Sequence, residues 1–378
     1  MKVLHIIPTL SKGGAEKVVV DLLNDSYENG VDVKLLLFFP SDPKLRLFEL
    51  NKKIEVLYIT NRKSNFFLLL IKSVFWMIAN WKFLMRQDIL HAHLTISSIF
   101  ISIFRLFAGI NFSKGPRLVE TNHSIGIPIK KWQHNLFVFM SRFRNAYVLI
   151  GEDSYWEPLI KKRERVVLSI IRNGVKISNR VVDKNDRDEF LNKVGILDHN
   201  SIVIGTVSRI VPERSPLKIV EIFHNIHLKL PKDNNVHFVF GGDGESFGQV
   251  KDKVTELKMD NFIHLPGLIV DATLARSVMT IYLSINIGAV TGIAGIEAAA
   301  EGKPVISLQM DKYYVNSEAD WIWSDPDTEK VADEIVKLVN DEKLRSEISQ
   351  CQHEYVKQNL HSNIMAKKYE DLYSNLLK

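Results

Sequence analysis

The chain has 378 residues, 46% hydrophobic and 25% charged, the composition of an ordinary globular protein with room for two domains. Its single cysteine, Cys351, excludes an intrachain disulfide and suits a reducing compartment. The net charge of +5 is uneven: residues 1–175 hold 25 Lys+Arg against 14 Asp+Glu, a net of +11, and residues 176–378 hold 24 against 30, a net of −6. Either an anionic surface meets the N-terminal half or the excess is a solvated face.

Met1 leads straight into KVLHIIP, an apolar strand without the charged region and apolar core of a secretory signal. Gly13-Gly14 break the chain, and residues 15–29 have helical spacing with a stop at Gly30. Strand, glycine loop and helix open a nucleotide-type α/β domain, but the loop is not GxGxxG, which argues against a dehydrogenase. Residues 33–39 and 54–59 are further strands. Residues 62–86 then interleave Phe66, Phe67, Phe75, Trp76, Trp81 and Phe83 with Arg62, Lys63, Lys72, Lys82 and Arg86. The longest apolar runs there are six residues, short of the ~20 that span a bilayer. Such a helix either lies in a membrane interface or packs in a core with its lysine stems reaching outward; the sequence leaves both open.

Residues 88–93 (DILHAH) form a short strand on which His91 and His93 alternate, with no third ligand evident, so no metal site is expected. An apolar helix follows at 95–108. A strand at 117–121 is followed by Asn122 and His123, and the carboxyl end of a strand is where open α/β sheets seat ligands. Residues 130–144 (KKWQHNLFVFMSRFR) form a second basic-aromatic helix, which strengthens the membrane reading. Strands at 147–150 and 166–170 precede the turn at Asn173-Gly174.

Residues 176–200 are polar and charged and read as the connection to a second domain. A strand at 202–207 ends in Ser208-Arg209, the loop at 210–215 carries Arg214, and an amphipathic helix follows at 216–230. The strand at 236–240 ends in Gly241-Gly242-Asp243-Gly244, and that at 262–265 in Pro266-Gly267. A strand at 279–283 leads into residues 288–304, GAVTGIAGIEAAAEGKP. Residues 325–340 and 342–378 read as helices. Strands alternating with helices in both halves predict two parallel, doubly wound sheets.

In residues 288–304 a glycine loop with Gly292 and Gly295 runs into an alanine-rich helix carrying Glu297, and Gly302 and Pro304 end it. A helix start offers free N–H groups and partial positive charge, a seat for phosphate. A carboxylate beside such a seat fits a ligand that also carries hydroxyls, as a ribose does.

In this order and spacing, the motifs resemble those of the retaining glycosyltransferases of the GT-B fold, the group 1 (family 4-like) enzymes that build bacterial polysaccharides and glycolipids from nucleotide sugars. They are Gly13-Gly14-Ala15-Glu16, His123 at its strand end, Asn173-Gly174-Val175, Arg209 with a basic residue five positions on, the Gly241-Gly242-Asp243-Gly244 turn, Pro266-Gly267, and the run from Glu297 to Val305. The resemblance covers nearly the whole chain. It implies two Rossmann-like, doubly wound parallel-sheet domains facing a central cleft. An acceptor domain would occupy 1–175 and a nucleotide-sugar domain 176–355, with a C-terminal helix at 356–378 packing back toward the first. It also implies that Arg209 and Arg214 hold the donor diphosphate and that Gly13, Gly14, Gly242, Gly267, Gly292 and Ile293 approach the donor. His123 would stand near the transferred sugar, and Glu297, the second Glu of an E-x7-E motif, would bind the ribose hydroxyls. His123, Arg209 and Arg214 would be the catalytic residues.

The chain departs from the family pattern twice. Arg214-Ser215 replaces Lys-Gly, which keeps the charge and alters its geometry, and Ala289 replaces the first Glu of E-x7-E. The resemblance implies no resident cofactor and no metal. It implies a UDP- or GDP-linked sugar as donor and a lipid-linked or oligosaccharide acceptor in capsule or lipopolysaccharide synthesis. The expected location is cytoplasmic, peripheral on the inner face of the cell membrane, with the basic-aromatic helices on an anionic surface. Ala289 supports a second reading, a catalytically degenerate relative that binds a glycan or partner enzyme, and a sugar-nucleotide epimerase is a third. No nucleic-acid partner is expected, because the basic residues are mixed with bulky aliphatics.

Overall fold

The computed structural model describes residues 1–11, 13–40, 49–109, 115–123, 131–153, 156–177, 180–232, 234–286, 290–310 and 321–378. The chain forms two compact units, Met1–Lys176 with Leu360–Lys378, and Ile177–Asn359.

The strands of the first unit are β1 (Lys2–Ile7), β2 (Asp32–Leu37), β3 (Glu55–Tyr58), β4 (Ile89–His93), β5 (Arg117–Asn122), β6 (Ala146–Leu149) and β7 (Val167–Ile170). They form one parallel sheet in the order β3-β2-β1-β4-β5-β6-β7. Parallel neighbours need crossovers, and the apolar helices α1 (Gly14–Glu28), α2 (Phe66–Ala79), α3 (Trp81–Met85), α4 (Thr95–Ala108), α5 (Lys131–Ser141) and α6 (Trp156–Lys161) lie between the strands. Every residue of β4 is buried, as expected of a central strand covered on both faces. The register pairs His5 of β1 with His91 of β4, so the two imidazoles share a face with His93 two residues on.

The second unit begins with α7 (Lys184–Val194) and contains β8 (Ile202–Val207), α8 (Pro216–Lys229), β9 (Val236–Gly241), α9 (Phe247–Glu256), β10 (Ile263–Gly267), α10 (Ala272–Ser277), β11 (Ile281–Asn286), α11 (Ile293–Ala300), β12 (Val305–Gln309), β13 (Trp323–Asp325), α12 (Thr328–Asn340) and α13 (Glu342–Asn359). Its parallel sheet runs β10-β9-β8-β11-β12-β13. The Ile219, Phe223 and Ile226 face of α8 packs on β9, with the Phe223 and Phe238 rings stacked at 4.8 Å. A terminal helix, α14 (Ser362–Leu377), belongs to the first unit and packs on α1. It buries Tyr369 and Tyr373, while Asn29 Nδ2 donates to Asn363 and Glu370 at 3.1 and 3.0 Å.

Three local expectations are corrected and one open alternative is decided. Residues 62–86 are two helices, because Asn80 turns its amide back onto the Trp76 carbonyl and ends α2. The alternative left open for this segment is met on both sides: Leu69 and Met77 of α2 enter the core, while Phe66, Phe67, Leu68, Ile71, Phe75 and Ile78 are exposed, Phe67 by 72% and Phe75 by 69%. Arg144, expected on a basic helix, is fully buried beyond α5 and paired with Glu120 at 2.6 Å. The C-terminal third also differs: Asp325 ends the short strand β13, too brief for a period of its own, and the last helical stretch breaks at Leu360–His361, where His361 caps α14. Lys130, Ala289 and Gly288 lie outside the described residues.

Candidate active site

In the second unit, β8 and β9 both end in loops that lock together. Ser208 N donates to Gly241 O at 3.0 Å, Ile210 N to Asp243 O at 3.0 Å, and Ser246 N to Ile210 O at 3.1 Å. Glycine is required here. Gly242 and Gly244 have φ of +144° and +155°, and a Cβ would stand 1.8 Å from Ser208 O or 2.3 Å from Ile210 O. Gly242 gives its N–H to Gly267 O at 2.8 Å, so these two predicted donor residues are tied to each other and shape the loop.

This locked loop presents Arg209 and then Arg214, the latter at the end of a 3-10 turn (Pro212–Arg214). Ser215 follows with φ of +42°, a left-handed conformation that turns the chain into α8. The Arg214 guanidinium reaches the start of α11: a Cβ on the N-cap residue Gly292 would lie 3.9 Å from its Nη1. Burial, then the charge of Arg209, pushes Arg214 below its ordinary value. Among the described residues neither arginine's side chain has a hydrogen bond or ion pair. The amides of Ile293 and Ala294 precede the first backbone bonds of the helix, Gly295 N and Ile296 N to Gly292 O. Arg214 at a helix N-terminus, with the Arg209 charge close enough to act on it, gives the electrostatic pattern of an anion site.

Glu297 sits one turn into α11. Its Oε2 accepts from Arg276 Nη1 at 2.9 Å, while Arg276 Nη2 and Nε hold both oxygens of Glu301 at 2.7 and 2.8 Å. Arg276 is buried, and the Glu297 and Glu301 charges outweigh the desolvation that would lower it, so its value is raised. One oxygen of Glu297 is therefore committed, and Oε1 is the one left to a ligand. Gly295 serves packing rather than ligand approach, since a Cβ there would meet Ser284 Oγ of β11 at 2.4 Å. Sequence reasoning missed Arg276. The readable signal was the pair Glu297 and Glu301, four apart on an otherwise apolar helix, which demands a buried cation.

In the first unit, Gly13 caps α1, but the Glu16 carboxylate folds over it: a Cβ on Gly13 would be 2.1 Å from Glu16 Oε2, and Ser11 Oγ donates to Oε1. The positive end of α1, with Gly14 as its first residue, thus already holds a carboxylate. His123 stands at the end of β5, and its Nε2 meets His93 Nδ1 at 3.0 Å; His93 Nε2 in turn meets His5 Nδ1 at 3.1 Å. His91 contacts Tyr373 Oη at 2.6 Å and Thr121 Oγ1 at 2.8 Å. Burial lowers His5 to about 3 and His123 to about 4, and His91 and His93 well below the usual range. The expectation that His91 and His93 lack a third imidazole is overturned. Candidate ligand atoms of His5, His91 and His93 lie within 4.8 Å of one another, because β1 pairs with β4.

Two parallel-sheet, Rossmann-like units with an arginine pair at the strand ends of the second define a GT-B glycosyltransferase fold. Residues 186–354, within the second unit, match the family described as Glycosyl transferases group 1, and are a domain of that family. The chain is 24% identical over 333 residues, 82% of its length and 81% of the relative's, to the UDP-Gal:alpha-D-GlcNAc-diphosphoundecaprenol alpha-1,3-galactosyltransferase of Escherichia coli. It is 26% identical over 210 residues to the capsular polysaccharide biosynthesis glycosyltransferase CapM of Staphylococcus aureus, a match that spans about half of each protein, 54%. Among solved structures, Anabaena Alr3699/HepE in complex with UDP and glucose has a TM-score of 0.77 at 17% identity, covering 99% of this chain and 100% of that one.

Proposed function

We propose that the protein transfers a sugar from a nucleoside-diphosphate sugar, UDP-linked in the first instance, to a lipid-linked glycan in cell-surface polysaccharide synthesis, with retention of anomeric configuration. The observation that carries this reading is Arg214, which reaches the N-terminus of α11 beside the charge of Arg209, with Glu297 fixed by Arg276 one turn further. In this reading the guanidiniums and the first amides of α11 bind the diphosphate. Glu297 Oε1 accepts from a ribose hydroxyl. As the bond between the anomeric carbon and the phosphate oxygen breaks, charge grows on the leaving diphosphate where the arginines stand. The acceptor hydroxyl forms the new bond on the same face and passes its proton to the departing phosphate, so no protein nucleophile is required. The motif resemblance is what assigns His123 to the transferred sugar in this reading. The two relatives named above, one for a UDP-Gal donor with a diphosphoundecaprenol acceptor and one for capsule synthesis, support donor and acceptor class.

The acceptor places the protein on a membrane. Among the described residues no helix is long and apolar enough to cross one. The exposed apolar face of α2, flanked by Arg62, Lys63, Lys72 and Lys82, together with exposed Lys131 and Trp132, suits the interface of an anionic bilayer at its cytoplasmic face.

The test is turnover: nucleoside diphosphate release from a panel of UDP- and GDP-sugars with a pyrophosphate-lipid-linked saccharide as acceptor. Glycosylated lipid with one donor supports the proposal; no release from any donor refutes it. Ala289, in place of a family Glu, favours a second reading as a degenerate binding subunit. UDP binding by calorimetry without turnover is its signature.

A further inference from the structure

We propose that Asn286, at the carboxyl end of β11, is a specificity-determining residue whose carboxamide holds hydroxyls of the transferred sugar, an inference that rests on the function proposed above. The register pairs Ser284 with Ser307 and Asn286 with Gln309, so the β11–β12 ladder ends in a polar row between otherwise apolar strands. All four side chains are buried. Side chains alternate along a strand, so Ser284 and Asn286 share a face. That face lies under α11, because a Cβ on Gly295 would stand 2.4 Å from Ser284 Oγ. The helix leads from the end of β11 to the start of the parallel strand β12, so it runs back against both strands. From Ser284 to Asn286 the strand advances about 6.6 Å, while from Gly295 back to Gly292 the helix covers about 4.5 Å. Asn286 therefore lies level with the N-terminus of α11 or just beyond it, and Glu297 lies one turn inside. The neighbouring Ile285 O confirms the closeness: a Cβ on the N-cap residue Gly292 would stand 3.2 Å from it.

Asn286 is 4% exposed, and its Oδ1 is buried with no hydrogen-bond partner among the described residues. A buried carboxamide left unpaired costs stability that an apolar residue of the same shape would not cost. Its chemistry selects which part of a nucleotide sugar would complete it. A carboxamide accepts at one end and donates at the other, whichever way round it is set. Sugar hydroxyls do both and match both ends. An ionised phosphate only accepts, and would leave the amide oxygen orphaned. The phosphates also have their own partners in Arg214 and the first amides of α11, and the ribose has Glu297 Oε1. Between Asn286 and the helix the chain reads Ile287-Gly288-Ala289-Val290-Thr291-Gly292, which brings a single polar side chain, Thr291. The sugar end of the site thus draws its carboxamide from the strand end.

The test is calorimetry of the full-length protein, without acceptor, using UDP, UDP-glucose, UDP-galactose and UDP-N-acetylglucosamine. Asn286→Leu keeps the shape and removes both polar ends. It should leave UDP affinity within twofold and hold or raise the urea midpoint. It should weaken the preferred UDP-sugar about tenfold, the worth of one or two hydrogen bonds, and narrow the preference among the three sugars. Equal losses for UDP and UDP-sugar would make Asn286 structural and overturn the proposal, as would no loss for either. Two further variants separate chemistry from bulk. Asn286→Ala should match Asn286→Leu, and Asn286→Ser, whose hydroxyl both donates and accepts, should recover part of the sugar affinity. A loss in Asn286→Leu that Asn286→Ala does not share assigns the effect to bulk and also overturns it. Wild-type turnover of a UDP-sugar with full sugar affinity in Asn286→Leu sinks this inference alone; a wild type that binds no nucleotide sinks the proposed function with it.

Discussion

Replacing Arg276 by methionine removes a cation that is 4% exposed from between two carboxylates whose side chains are 18% and 17% exposed. Stranding one side of a buried ion pair costs about 3–5 kcal/mol. Partial access of water to Glu297 and Glu301 puts this case at the lower end, about 3 kcal/mol. The loss should appear as a drop in the urea midpoint at unchanged slope. A second effect is local: Glu297, no longer held through Oε2, must be ordered by the ligand, which costs about one hydrogen bond, or up to tenfold in UDP affinity by calorimetry. The triple variant R276M/E297Q/E301Q separates the two effects. Replacing the whole ionic cluster by neutral groups should recover most of the stability, but not the UDP affinity, since the carboxylate is gone. If R276M keeps wild-type stability and wild-type UDP affinity, the reading of Arg276 as the anchor of Glu297 is wrong.

The remaining predictions concern catalysis, acid stability and membranes. Arg209→Ala and Arg214→Ala should each lower the rate of nucleoside diphosphate release by about 10²–10³, and the double variant by less than the product, because both act on one diphosphate; Arg214→Lys should recover part of the loss. His5 is depressed to about 3 by burial while the unfolded chain titrates near 6.5, so between those values the unfolded state binds more protons. Stability should therefore fall as pH drops, by about 1.4 kcal/mol per pH unit from His5 alone, with His91 and His93 adding in the same direction; equal urea midpoints at pH 7.5 and 5.5 would refute this. Lys63→Glu, Lys72→Glu, Lys82→Glu and Lys131→Glu combined should release the protein from vesicles containing anionic lipid, each lysine contributing about 1 kcal/mol, and unchanged co-sedimentation would remove the interfacial role of α2.

The two sheets were legible because parallel strands buried on both faces read as apolar runs, alternating here with helical stretches. Arg209 and Arg214 were legible through the motif resemblance, as a basic residue past a strand end and another five positions on. What escaped depends on strand order and on contacts distant in sequence. His5 lies inside the core strand KVLHII and gives no sign of function until β1 is placed beside β4 and its register sets His5 against His91. Arg276 lies 21 and 25 residues before its partners, on a short helix that reads as surface. The exposure of α2 was undecidable, because a basic-aromatic helix has the same spacing whether core or membrane faces it.

Arg276 has a second consequence for the arginine pair. Arg214 is desolvated beside a like charge and a helix N-terminus, and the Ser215 backbone that positions it is left-handed at a cost of order 1–3 kcal/mol. Such an arrangement persists only if the loops around it are over-determined, which the hydrogen bonds between the β8 and β9 loops and the absence of Cβ atoms at Gly242 and Gly244 achieve. It would still be quenched by any mobile carboxylate. Glu297, on the helix whose N-terminus Arg214 reaches, is the carboxylate at issue. By binding Glu297 Oε2, Arg276 keeps the negative group from neutralising Arg214, so the positive end stays free for phosphate and the negative end for hydroxyls. The site is preorganised because its opposite charges are held apart, and the cation that separates them lies outside every motif the sequence displays.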